Sequence, residues 1–174
     1  DYLHIGDKIV SYIKSKKLTN IQKSILIGKM LGDGSLRKPN SNNYAITYSH
    51  SEKQLDYLKY CYDVLGDLSN QSIDAIISGY GSTIYRTNTS FNKSITDLFK
   101  DWEKDGIKQV PNNIKLDPIS IAFWYMDDGS LSHSDKQVDR ACFATNGFNE
   151  NSVKDRKSTR LNSSHGYISY AVFC

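Results

Sequence analysis

The chain has 174 residues, 24% of them charged and 39% hydrophobic, and a formal net charge of +3. That is the composition of one or two folded globular domains, not of a disordered or collagen-like chain. No apolar run approaches the roughly 18 residues of a membrane helix, no basic-then-apolar leader opens the sequence, and three cysteines make no disulfide framework. Ile, Lys, Asn and Tyr supply 59 of the 174 residues, and Lys outnumbers Arg 17 to 5. These residues have AT-rich codons, which fits an organelle or a mobile element as the source, and an AT-rich bacterium equally.

In chain order, residues 1–18 read as a lead-in with a weak helical pattern. Thr19, with Gln22 three residues on, opens a helix as a capping box. Ile21, Ile25, Leu26, Met30 and Leu31 carry that helix to Gly32-Asp33-Gly34. Arg37–Asn43 reads as a polar turn and Tyr44–His50 as a strand. Glu52–Leu65 is predicted helical with Gly66 as its cap. Gln71–Ser78 and Ser82–Thr89 form a hairpin around Gly79-Tyr80-Gly81. Phe91–Glu103 is a further amphipathic helix closed by Asp105-Gly106, and Val110–Asn113 is a break. Asp117-Pro118 is a strong helix start. That helix runs over Ile119–Met126 and ends at Asp127-Asp128-Gly129. Arg140–Thr145 reads as a strand, and Asn149 as the cap of another helix.

The final stretch, Asp155–Cys174, reads as a translated sequencing-library adapter, so genuine sequence is expected to end near Lys154. The tail holds Arg156, Lys157, Arg160 and Asp155, a net +2, which leaves +1 for residues 1–154. Any basic surface is therefore expected to be local.

An internal repeat is the most informative feature. Asp33-Gly34-Ser35-Leu36 recurs as Asp128-Gly129-Ser130-Leu131, each copy following an apolar helix. Gly34 and Gly129 are expected in the left-handed conformation just past a helix end. Asp33 and Asp128 then stand at the negative ends of two helix dipoles, where a carboxylate is disfavoured. Side by side, two carboxylates and several carbonyls make a set of hard oxygen donors suited to a divalent cation. Gly28, Gly32 and Ala122 are small residues through which the two helices are expected to pack closely.

Leu26–Gly34 (LIGKMLGDG) and Ile121–Gly129 (IAFWYMDDG) resemble the two motifs of LAGLIDADG homing endonucleases, in the single-chain, intron-encoded form. Val110-Pro111-Asn112-Asn113 and Ser51-Glu52-Lys53 add to the resemblance, which covers residues 21–154. It implies an α+β fold. An αββαββα unit spans residues 19–106, and a truncated second unit spans residues 107–154. The motif helices pack together and antiparallel sheets form a saddle on DNA.

The resemblance also implies catalytic Asp33, Asp128 and Lys108, and Mg2+ or another divalent cation held by the two carboxylates with the carbonyls of Gly32 and Asp127. Lys108, three residues before Pro111, fits a place near the scissile phosphate. Arg86 and Asn88, with Ser82, Thr47 and Ser49, are candidate base readers on two-stranded ribbons. Arg37, Lys38 and Lys93 are candidate phosphate contacts. The expected partner is a double-stranded DNA target, met by a monomer in an organelle, with no membrane. A second unit ending near Lys154 is expected to leave the chain unstable or inactive.

Three alternatives stay open from sequence. An RNA-binding intron maturase uses the same fold, and a DNA-binding remnant without catalysis keeps the scaffold alone. Tyr125-Met126-Asp127-Asp128 matches the polymerase YMDD, but a helix, not a hairpin, is expected there.

Overall fold

A computed structural model describes residues 16–38, 42–69, 72–104, 106–111, 114–134, 137–144 and 171–173. The expectations for the lead-in before residue 16, Pro39, Asn112-Asn113, Asn149 and residues 155–170 lie outside these residues.

Helix α1 (Asn20–Leu31) starts at the anticipated capping box, with Thr19 accepting from the Gln22 backbone and Gln22 accepting from the Thr19 backbone. Strand β1 (Ser35–Arg37) follows at once and pairs antiparallel with β2 (Ala45–Ser51). After a 3-10 turn at Glu52–Gln54 comes α2 (Leu55–Leu65), which turns Leu58, Cys61 and Leu65 into the core and ends at Gly66 with φ +56°. Only glycine adopts that angle at little cost. The anticipated hairpin is present as β3 (Asp74–Ile77) and β4 (Thr83–Asn88), and α3 (Lys93–Phe99) follows. The order is α1-β1-β2-α2-β3-β4-α3, and the four strands form one antiparallel sheet in the order β1-β2-β4-β3.

Helix α3 is shorter than its periodicity suggested. Asn92 is held in a bridge to Tyr44 and its side chain accepts from the Ser94 backbone, so it caps the helix from outside. A small hairpin, β5 (Glu103–Lys104) and β6 (Ile107–Lys108), then leads into α4 (Pro118–Asp128). Asp117 caps α4, and Pro118 takes the first turn. Strands β7 (Gly129–Ser134) and β8 (Gln137–Phe143) form an antiparallel pair, so α4-β7-β8 repeats the order α1-β1-β2. Strand β9 (Ala171–Phe173) joins the edge of β8 in parallel.

The helices pack on the sheet face carrying Ile46, Tyr48, His50 and Thr87, all buried. The core continues through Ile25, Leu26, Leu58, Phe99 and Trp102, and Trp102 meets Phe99 edge-on at 5.1 Å. Under α4, Trp124 lies on Phe143 with ring centroids 4.5 Å apart.

Helices α1 and α4 cross at two glycines. A Cβ on Gly28 would stand 2.6 Å from Phe123 Cβ and from the Ser120 carbonyl oxygen, and one on Gly32 would stand 2.3 Å from Asp127 Cβ. The small-residue contact therefore holds for Gly28 and Gly32 but not for Ala122, which is exposed on the far side of α4. Helical spacing places Ser120, Phe123, Trp124 and Asp127 on the contact face instead.

Neither Gly34 nor Gly129 is left-handed: among the described glycines positive φ occurs only at Gly66, Gly81 and Gly106. Space demands the motif glycines instead. Gly34 donates its N–H to the Lys29 carbonyl at 2.7 Å, and a Cβ there would lie 2.6 Å from that oxygen. At Gly129 a Cβ would meet the Tyr125 ring at 2.2 Å.

Candidate metal and DNA-binding site

The crossing of α1 and α4 brings the two motif ends together. Asp33 follows α1 by two residues and its side chain is 39% exposed, while Asp128 is the last residue of α4 and is half-buried. Burial pushes the Asp33 carboxyl up to about 6, and the Asp127 and Asp128 carboxylates add to the rise. Asp128 is raised too, by burial first and then by Asp127. Bare carboxylates are therefore disfavoured at both positions.

Lys108 is brought to the same place by the β5–β6 hairpin. Its ammonium donates to the Gly32 carbonyl at 2.8 Å and the Gly34 carbonyl at 3.2 Å. Burial lowers its pKa, while Asp128, Asp33 and Asp127 work against that fall. Thus Asp33, Asp128 and Lys108 lie near enough to perturb one another electrostatically, and Lys108 bonds the Gly32 carbonyl. The Gly32 carbonyl, anticipated as a cation donor, already accepts from Lys108 and keeps a second lone pair.

Asp127 is placed differently from its neighbour. Its carboxylate is fully buried and pairs with the equally buried Lys29 ammonium at 2.8 Å. It also accepts from the Tyr57 hydroxyl at 2.9 Å and from the Asp33 backbone N–H at 3.2 Å. His50 completes the group, its Nε2 2.8 Å from Lys29 Nζ. Burial, then the Lys29 charge, push His50 down to about 4, which leaves the ring neutral at pH 7. Burial and Asp127 push the Tyr57 hydroxyl well above the ordinary range. Lys29, His50 and Tyr57 were not singled out from sequence. The available signal was Lys29 itself, a charge in the middle of an apolar helix, with Asp127 standing where the first motif has Gly32.

The DNA-reading candidates divide by location. Register pairs Thr47 with Asn88 and Ser49 with Arg86, and Arg37 lies on the same sheet face beside Ala45. This is the face opposite the helices. It therefore presents Arg37, Thr47, Ser49, Arg86 and Asn88 together, and Thr47 donates to the Asn88 side-chain oxygen. Arg37 lies over the Phe91 ring at 5.4 Å. Asp74 stands opposite Arg86 in β3, an acidic neighbour the spacing did not reveal. Ser82 is not on the ribbon: it closes the hairpin tip against Ser78 at 2.8 Å. Lys38 pairs with Glu103 at 2.7 Å, and Lys93 pairs with Asp97 at 3.2 Å in the helical layer.

Two helices packed through glycine, each delivering an aspartate to a common end beside an antiparallel sheet, define an α+β protein built on a paired-helix motif. The chain belongs to the LAGLIDADG DNA endonuclease family, whose model matches residues 23–159. It is 28% identical to the cytochrome b mRNA maturase bI2 of Debaryomyces hansenii over 87% of this chain and 62% of that protein. It is 25% identical to the DNA endonuclease I-ChuI of Chlamydomonas applanata over 68% of this chain and 62% of that one. The chain spans 30% to 62% of the length of the curated relatives it matches. The fold matches that of the homing endonuclease I-WcaI bound to its DNA recognition sequence, with a TM-score of 0.65 at 19% identity, covering 87% of this chain and 74% of that one. No helix among the described residues is long and apolar enough to cross a membrane.

Proposed function

We propose that this chain is part of a site-specific double-strand DNA endonuclease that hydrolyses phosphodiesters with a divalent cation, Mg2+ or a similar ion, held by Asp33 and Asp128. The observation that carries this reading is the convergence of those two carboxylates, one from each motif, with Lys108 beside them. Hard carboxylate oxygens that repel one another fit such a cation. When bound, it supplies charge stabilisation at the phosphate and a more acidic bound water. Lys108 holds the Gly32 and Gly34 carbonyls and stands as a positive charge beside the phosphate. The open sheet face reads the target, with Arg86 suited to guanine and Asn88 to adenine, and Arg37 meets phosphate.

Residues 19–106 form the first unit in this reading and residues 107–154 open the second, within a monomer. An organelle is the proposed compartment, from the AT-rich codon bias and the likeness to a maturase of cytochrome b mRNA.

The test is selection for cut sites on a randomised duplex library with Mg2+, run on the chain and on D33N and D128N. Cleavage by the parent that disappears in each variant, with duplex binding retained, supports the reading. Cleavage that survives both substitutions overturns it. Tight binding of intron RNA with no duplex cleavage would favour the maturase role that the 28% relative carries in its name.

A further inference from the structure

Asp33, His50 and Asp127 present ligand-type atoms that all lie within 4.8 Å of one another, an arrangement that suits a cation. The cation is already there. The Lys29 ammonium, fully buried, lies 2.8 Å from Asp127 Oδ1 and 2.8 Å from His50 Nε2. It also faces the Tyr57 ring at 4.2 Å and the Tyr48 ring at 5.0 Å. The cluster therefore holds an internal cation and is not a second metal site.

That ammonium constrains its neighbour. An ammonium has donors only, so the His50 nitrogen facing it must be the acceptor. The ring proton then sits on Nδ1. This nitrogen is buried, makes no hydrogen bond as it stands, and has Asp33 Oδ2 3.4 Å away, and the Gln54 side chain also interacts with the ring. Asp127 closes the loop from the other side by accepting the Asp33 backbone N–H at 3.2 Å. Side chain and backbone of Asp33 are thus both faced by one buried network that spans α1, β2, α2 and α4.

We propose that Lys29, paired with Asp127, locks His50 in the Nδ1–H tautomer, and that His50 acts as a positioning residue that aims the Asp33 carboxylate. The inference rests on the reading of Asp33 as a cation ligand. Outer partners of this kind typically change metal affinity by about 10- to 100-fold when removed.

The tautomer is read from the ring nitrogen shifts of the labelled, metal-free full chain, with H50N identifying the signals. The Nδ1–H form is expected in the parent, and its loss is expected in K29M/D127M. Replacing both partners leaves no uncompensated buried charge, and a thermal melt verifies that the double variant folds. Calcium affinity is measured by calorimetry, without cleavage. It should fall by about 10-fold or more in H50L and recover in H50N, because the Asn amide nitrogen takes the place of Nδ1. A merely structural His50 would change the melting temperature without this split between H50L and H50N.

An Nε2–H tautomer in the parent overturns the inference, as does unchanged calcium affinity in H50L. A parent chain that binds no calcium would overturn the cation reading of Asp33. The tautomer, and its persistence or loss in K29M/D127M, would still decide the role of Lys29.

Discussion

At the residue scale, the motif glycines are fixed by what they touch. In a helix interior, where Gly28 lies, Gly→Ala gains about 1 kcal/mol from propensity alone, whereas Gly32 caps the helix and has no such gain. Here the added Cβ of G32A would stand 2.3 Å from Asp127 Cβ, and Asp127 is pinned by Lys29, Tyr57 and the Asp33 N–H. The helices must separate, and overpacking of this kind costs roughly 1–3 kcal/mol or more. G32A and G28A should therefore both lower the midpoint of a denaturant melt, G28A against the propensity trend. An unchanged or higher midpoint would mean that the crossing is looser than these distances. Arg86 supports a second prediction. If it reads guanine, R86A should cost about 1–3 kcal/mol at one base pair and relax selectivity there. R37A should instead weaken binding to all sequences and reduce the salt slope by about one. Binding titrations against point-substituted duplexes at several salt concentrations separate the two.

At the element scale, local signals were legible and tertiary ones were not. Thr19 with Gln22, and Asp117 with Pro118, marked helix starts because a cap is a contact between residues three apart. Gly66 and Gly79–Gly81 were legible for the same reason, since their turns are local. Strands β1 and β7 were missed as strands. Each follows a motif directly, and Ser35–Arg37 is held extended by pairing with β2 rather than by its own sequence. The convergence of Asp33 and Asp128 was legible through the repeat. The Lys29–Asp127 pair joins residues 98 apart and has no local signature.

Asp117 links these scales, because it caps α4 and also accepts from Ser24 of α1. Burial pushes its carboxyl up, but the hydrogen bonds from Ser24 and Ser120 outweigh this and hold it below the ordinary value. A depressed folded pKa contributes stability that is present above the unfolded value near 4 and is lost as pH falls through the folded one. D117N keeps a capping side chain, so its melting temperature should fall less than the parent's below pH 4. D117A should lose about 1 kcal/mol at neutral pH. Parallel pH profiles for parent and D117N would count against the hydrogen-bond account.

At the scale of the whole molecule, the two motif halves meet in a site that is electrostatically unfavourable without a cation, and this has a measurable sign. The Asp33 carboxyl stands at about 6 against an ordinary 3.8, from burial first and then from Asp127 and Asp128. A raised folded carboxyl pKa means stability that is present at low pH and lost as pH rises through that value. At pH 7.5 the whole penalty applies, and it is of order 1 kcal/mol once solvent screening of a carboxylate 39% exposed is allowed for. In EDTA, D33N should therefore melt above the parent. With Mg2+ at about 100 times its dissociation constant, binding to the folded state alone adds about 2.7 kcal/mol. The parent gains this increment and D33N, short of one carboxylate, loses most of it. The two melting curves should therefore exchange order between EDTA and excess Mg2+, and D128N should behave in the same way. A structural aspartate would give a variant less stable under both conditions, and a surface aspartate would give no difference in either. Only a carboxylate held in place for a cation predicts the crossing.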